Sequence, residues 1–348
     1  MVKSLKGSEK KKTSAAKEKP AVHIPLQGSK AKKEELTKII NEMCKSDAGR
    51  AILETAAYNG YELKFDPELE ETGEYGYADQ DERCCALNPA NSMAENIATL
   101  AHELRHAYQF EYSKLTEDVY SEEYDTKTLL HKDRIMEADA ESYGCLVAWE
   151  LKQQGLEDCW NDFAAEFPNV TEAFEKTFKE TEDKNKARTA AFKGWYDDTE
   201  RRDSYDEGIV EEIESTSPDD FKKKLKSISA ETFVEAFCTD PDTGMNYFTD
   251  DPSILESGKY TALYEDRKEA IKAHHQKRET LPGRIPDKTI EGIEAQKRPG
   301  AERENNARAV SAEAKEVALA SRQKRAAKQI KQQKKPSLAL LKKKSKTR

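Results

Sequence analysis

Apolar residues recur at helical spacing through most of the chain, and alternate with polar ones only near residues 61–89. In KEELTKIINEMCKSDAGRAILETAAYNG, Leu36, Ile39, Ile40 and Met43 fall three and four apart, which predicts a first helix stopped by Asn59-Gly60. YELKFDP and YGYADQDERCCALNP alternate on either side of the acidic stretch at 68–74. They read as two strands of a small antiparallel sheet, closed by Asn88-Pro89. Ser92-Met93-Ala94-Glu95 has the form of a capping box, and the helix it opens carries Ile97, Leu100, Ala101, Leu104 and Tyr108 along one side. After the less regular KLTEDVYSEEYDTKTLLHK, another helix is expected from about Asp133 to Gln154.

The rest of the pattern is helical too. VTEAFEKTFKETEDKNKARTAAFKGWYDD reads as one helix, and Ser217-Pro218 starts a second through FKKKLKSI. Ser229 caps a third over AETFVEAFC, and YTALYEDRKEAIKAHHQKR supplies the last packed element. Beyond Pro282, a segment rich in Ala, Lys, Glu and Arg runs to Pro336 without a wide apolar face to bury. The expected fold class is α+β: a mainly helical domain with a small antiparallel sheet beside its central helices.

Composition narrows the function classes. Of 348 residues, 36% are hydrophobic and 36% charged, and mean hydropathy is −0.93, so a multi-span membrane protein is excluded. The start MVKSLKGSEKKK is cationic but lacks the apolar segment of a secretory signal. That points to the cytoplasm, with export without a cleavable signal as the alternative. Six Cys, none in a CxxC pair, make a disulfide scaffold or zinc ribbon a poor reading.

Charge divides the chain further. Residues 1–33 hold 10 Lys against 2 Glu, and residues 281–348 hold 19 basic residues against 7 acidic ones. The stretch between them has 29 basic and 58 acidic residues. We expect a disordered basic arm at 1–33, a catalytic-type domain at 34–210, a helical extension at 211–280 and a basic low-complexity tail at 281–348. Neither arm contains Phe, Trp or Tyr, so neither offers a stacking platform for single-stranded nucleic acid. Weak contact with a phosphate backbone or an anionic surface is the binding role such arms could take, besides contact with the acidic body itself.

The sharpest chemical signal is His102-Glu103-Leu104-Arg105-His106. Residues four apart on a helix lie about 40° apart and about 6 Å along the axis, so both imidazoles can converge on one cation. Glu103 is offset by about 100° and can border that cation as a general base. Two histidines leave zinc short of a protein ligand, with a fourth position normally open to water. MEADAESYG offers Glu137, with Glu141 as the alternative. Ala138, Ala140 and Gly144 would let this helix approach the histidine helix closely.

HELRH followed by EADAES resembles the gluzincin type of zinc metallopeptidase, in which a second helix carrying a Glu-Ala-Asp or similar segment supplies the third ligand. It is similar to the corresponding helix of integral-membrane prenyl-protein endoproteases, whose spans this chain lacks. It looks closer to a bacterial family of metallopeptidase domains without assigned function, over roughly residues 35–210. The segment GWYDDTERRDSYD falls inside that range. The resemblance implies a zincin-like domain that acts on protein or peptide substrates. It makes His102, His106 and Glu137 the ligands of one zinc ion and Glu103 the catalytic base. Asp139 would orient a ligand imidazole from behind. A donor for the developing oxyanion is usual in such sites, and the candidates are His131, Tyr143, Tyr120 and Tyr124. The competing reading is a non-catalytic zinc-binding or interaction protein tethered by its basic tails.

Other groupings point to packing. Asp240-Pro241-Asp242-Thr243-Gly244 departs from a calcium loop in its Gly position and lacks the terminal Glu, and is expected to be a turn. Cys84-Cys85, Cys145 and the three Trp are expected in the core, and His274-His275 on the surface.

Overall fold

The computed structural model describes residues 21–113, 115 and 119–298. The remaining parts of both basic arms lie outside the described residues. Where one opening helix was expected, two form: α1 (Lys30–Met43) and α2 (Asp47–Tyr58). The break falls at Ser46. Its hydroxyl accepts from the Gly49 amide and donates to Glu150, and this N-cap starts a new helix in place of a continued one. Gly49 fits the tight corner because a Cβ there would lie 2.5 Å from the Met43 carbonyl oxygen. Residues 21–33, which composition places in an arm, belong partly to the body: Ile24 is buried and Leu26 bridges Leu63.

The sheet has three strands, β1 (Glu62–Phe65), β2 (Gly76–Asp79) and β3 (Cys84–Leu87), with the short helix α3 (Glu68–Thr72) between β1 and β2. The second predicted strand is in fact a hairpin. Its halves β2 and β3 pair antiparallel with each other, while β1, expected to pair antiparallel with this segment, pairs with β3 in parallel, giving the order β1-β3-β2. The reason lies in Cys84-Cys85-Ala86-Leu87, which is apolar throughout and buried at every position. Such a strand suits the centre of a sheet rather than its edge.

α4 (Met93–Tyr112) begins with the predicted capping box, Ser92 and Glu95 bonding each other's backbone amides. α5 (Thr126–Gln153) starts earlier than the pattern suggested because Asp125 caps it through the Thr128 amide. Then follow α6 (Glu157–Glu166), α7 (Pro168–Thr181), α8 (Lys184–Trp195) and α9 (Thr199–Ser215). α7 and α8 replace a single expected helix. Glu182 takes a left-handed conformation and Asp183 caps the next helix, folding the pair into a hairpin. The two helices approach closely enough that a Cβ on Gly194 would sit 2.5 Å from the Asn169 carbonyl oxygen.

α10 (Ala230–Phe237) is capped by Ser229 as predicted. FKKKLKSI is not a helix. It runs extended beside residues 122–125, where Lys222 and Lys226 donate to the Glu122 and Glu123 carbonyls and Asp125 donates to that of Lys226. β4 (Leu263–Tyr264), α11 (Glu265–Glu279), α12 (Thr289–Gly292) and β5 (Ala295–Gln296) complete the described chain. Residues 281–298, also placed in an arm by composition, pack onto it. Asp287 accepts from the Thr126 amide and hydroxyl at the start of α5. His274 and His275 are buried, against expectation, because partners distant in sequence cover them. His274 Nε2 lies 2.9 Å from the Thr216 carbonyl, and His275 Nε2 lies 3.1 Å from the Thr126 hydroxyl.

The chain is mainly helical with a small sheet, in line with the α+β expectation. Its core divides in two. One apolar cluster gathers α1, α2, the sheet and α4, and the other gathers α6 to α12. α5 is the wall between them, giving Tyr143, Val147 and Leu151 to the first and Ile135, Ala138 and Cys145 to the second. Trp149, Trp160, Trp195, Cys84, Cys85 and Cys145 are buried as predicted, and residues 240–244 form a turn closed on the Asp240 carboxylate. Among the described residues, no helix is long and apolar enough to cross a membrane.

Candidate metal centre

α4 presents His102 and His106 from one side, their rings edge to face with Nε2 atoms 3.0 Å apart. Glu137, on α5, reaches both. Its Oε2 is 3.5 Å from His102 Nε2 and its Oε1 is 3.4 Å from His106 Nε2. Glu141 stands one turn further on, and its Oε2 lies 3.5 Å from the other nitrogen of His102, Nδ1. Among the described residues, His102, His106 and Glu137 are the group able to hold a metal ion.

The donor set and its spacing fit zinc. Bonds of about 2.0–2.1 Å in a tetrahedron separate ligand atoms by about 3.3–3.4 Å; here the two imidazole Nε2 atoms lie 3.0 Å apart, with Glu137 Oε2 3.5 Å from that of His102 and Oε1 3.4 Å from that of His106. Glu137 Oε2 is buried with no hydrogen bond, an orphaned acceptor that a cation would satisfy. Two imidazoles and one carboxylate are also a donor set that zinc favours.

Electrostatics point the same way. Burial alone would depress the His102 imidazole, yet the nearby carboxylates of Glu141, Glu137 and Glu103 raise it to about 10. His106 is raised for similar reasons, chiefly by Glu137 against its burial. Burial would push the Glu137 carboxyl up, but the two imidazoles hold it well below the usual carboxylate range. The carboxylates of the pocket therefore favour positive charge at the two imidazoles. Burial pushes Glu141 up to about 7 and raises Glu103 as well.

Glu103 is buried beside the two histidines and also meets the backbone of Ala78 in β2. Gly76 makes that approach possible, since a Cβ there would lie 2.6 Å from Thr99 Cγ2 and 3.2 Å from Glu103 Cγ. Helix α4, edge strand β2, α5, α6 and α9 surround a cavity of about 680 Å³ that contains His102, Glu103, His106, Glu137 and Glu141 on its walls.

Behind the histidines the arrangement departs from expectation. Asp139 is fully buried but touches neither imidazole. Gln109 stands between: its Oε1 is 2.8 Å from His106 Nδ1 and its Nε2 is 2.7 Å from Asp139 Oδ2. Asp139 also accepts from Arg105 at 2.7 and 3.1 Å, from Arg188 at 2.9 Å and from the Tyr247 hydroxyl at 2.8 Å.

None of the four candidate oxyanion donors lines the cavity. His131 is buried elsewhere on α5, near Glu256 and Lys127, where burial holds it down at about 4. Six residues before Glu137, it projects about 120° away around the helix. The Tyr143 hydroxyl donates to the Ala48 carbonyl at 2.8 Å, and Tyr120 and Tyr124 belong to the segment before α5. The groups that do line the cavity include Tyr75, Tyr77, Tyr205 and Arg201. Tyr205 lines the same cavity as Glu137 and Glu141, and burial together with those two charges pushes its phenol well above its usual range. Arg201 pairs with Glu166 at 2.7 Å and stacks 4.2 Å over the Phe167 ring. Arg201 and Tyr205 are four apart on α9, inside the segment TERRDSYD. That spacing was a readable signal of a shared face, but not of where the face would dock.

Residues 14–248 match the family described as "Putative metallopeptidase family (DUF6782)". The chain belongs to that family. The match covers every element that lines the cavity, from β2 through α9, and stops one residue past Tyr247. A metallopeptidase family implies a metal cofactor and a protein or peptide substrate, and the His102, His106 and Glu137 group is where this chain could hold the metal. No curated protein and no solved structure matches the chain.

Proposed function

We propose that the protein hydrolyses peptide bonds at one zinc ion held by His102, His106 and Glu137, with Glu103 as general base. The observation that carries this reading is the triangle of two imidazole nitrogens and a carboxylate, with Glu103 beside it on the wall of an open cavity. When bound, zinc lowers the pKa of a water to about 7 and polarises the carbonyl under attack. Glu103 takes the proton of the attacking water and returns it to the departing amine, breaking the C–N bond. Its burial suits it to that exchange by raising its proton affinity. Tyr205 is the hydroxyl best placed to meet the developing oxyanion, since it lines the same cavity as Glu137 and Glu141 from α9.

β2 is an outer strand of the sheet and lines the cavity with Gly76, Tyr77 and Ala78. An extended peptide can therefore lie along it beside Glu103. Away from the histidines the cavity also carries Glu74, Glu95, Asp162 and Glu166, with Arg201 among them, which favours substrates with basic side chains. A purely structural zinc site or a tether would have no use for a buried carboxylate in Glu103's position.

The test is Glu103→Gln. Zinc content should stay at one per chain, while cleavage of unfolded casein or a peptide library falls by about 10²–10⁴-fold. Unchanged turnover in that variant, or a wild type whose cleavage ignores chelators, would overturn the proposal.

A further inference from the structure

We infer that Gln109 is a positioning residue that decides which nitrogen of His106 faces the cation site. The inference rests on the metal-binding reading of that site. Gln109 is about as buried as a side chain can be, at 1% exposed, and its two ends are chemically different. Nε2 lies 2.7 Å from Asp139 Oδ2 and 3.0 Å from the Met136 carbonyl oxygen. Both of those groups only accept, so the amide NH₂ must face them. Oε1 is then turned to His106 Nδ1 at 2.8 Å. An acceptor there requires the imidazole to carry its hydrogen on Nδ1, which leaves the Nε2 lone pair pointing into the triangle with His102 and Glu137.

The orientation cannot easily reverse. A flipped amide would set its carbonyl oxygen 2.7 Å from the Asp139 carboxylate and its NH₂ against Nδ1. Asp139 in turn accepts from Arg105, Arg188 and Tyr247, all donors, in a fully buried position. The negative charge of Asp139 thus reaches His106 only as an orientation, passed through a neutral amide. His102 differs: the group nearest its Nδ1 is the Glu141 carboxylate itself.

The experiment compares wild type with Gln109→Met, a variant of similar volume that cannot accept from Nδ1. Zinc affinity is read by competition with a chromophoric chelator, and the imidazole nitrogens by long-range ¹H–¹⁵N correlation in the zinc-loaded protein. In wild type, His106 should bind through Nε2 and show a slowly exchanging Nδ1–H. In the variant, zinc should bind about 10–100-fold more weakly and the Nδ1–H should exchange rapidly, with the far-UV circular dichroism of the metal-free protein unchanged. Equal zinc affinity with a protected Nδ1–H in the variant would overturn this inference alone. Wild type that takes up no zinc would overturn it together with the metal reading. Should the variant fail to fold, the wild-type spectrum still decides, because coordination through Nδ1 or a freely exchanging Nδ1–H contradicts the inference.

Discussion

Glu137 and Asp139 are two residues apart on α5, both carboxylates, both drawn into the interior, and they have opposite surroundings. Two positions on a helix point about 200° apart, so Glu137 faces the cavity while Asp139 faces α8 and the loop carrying Tyr247. Asp139 has every lone pair engaged by Arg105, Arg188, Gln109 and Tyr247. Glu137 has an oxygen with no hydrogen bond and two imidazoles at distances too long for good ones. A saturated buried carboxylate holds a fold together, and an unsaturated one beside two histidines waits for a cation. The Glu-Ala-Asp pattern puts both kinds in one short segment.

The comparison can be broken most severely at Asp139. Asp139→Leu would leave Arg105 and Arg188 buried without their shared counter-charge, and should lose about 3–5 kcal/mol of stability in chemical denaturation. Glu137→Gln should do the reverse. Its metal-free stability should fall less than that of Asp139→Leu, because Glu141 and Glu103 remain as counter-charges beside the imidazoles. Its zinc affinity should fall by at least about 100-fold, past the range expected of residues that only support a ligand. A large stability loss in this variant, with zinc binding intact, would show the two carboxylates to be alike. Tyr247→Phe is the mildest probe: one of several donors to Asp139 disappears, at a cost of about 1.5 kcal/mol, and zinc affinity should not move.

The same contrast explains how much of the protein could be read from its sequence. His102, Glu103, His106 and Glu137 come together through helix periodicity, visible in the spacing, plus one close helix pair, where a Cβ on Gly144 would lie 3.7 Å from the Ala98 carbonyl oxygen of α4. The capping box at Ser92 and the cap at Ser229 were local signals and formed as expected. Helix breaks at Ser46 and Glu182 were harder, because the flanking apolar periodicity continues across them. The parallel pairing of β1 depends on where α3 carries the chain, which no alternation pattern encodes. Tyr205 and Arg201 reach the cavity because Asp206 in α9 is clamped by Arg134 of α5 at 2.7 and 2.8 Å. Arg134 also holds the Tyr260 and Ala262 carbonyls. These contacts join residues 72 and more apart, so nearness to α5 in sequence does not reveal which hydroxyl or guanidinium faces the cavity. Gln109 was missed for a related reason: it lies one turn after His106, but its role appears only once Asp139 is seen behind it.

The most direct test of the whole account is anomalous diffraction at the zinc edge from crystals of the zinc-loaded 348-residue chain. We predict one ion per chain, with His102 Nε2, His106 Nε2 and a Glu137 oxygen all at about 2.0–2.2 Å. An ion bound elsewhere, or no anomalous peak between α4 and α5 at saturating zinc, would contradict it.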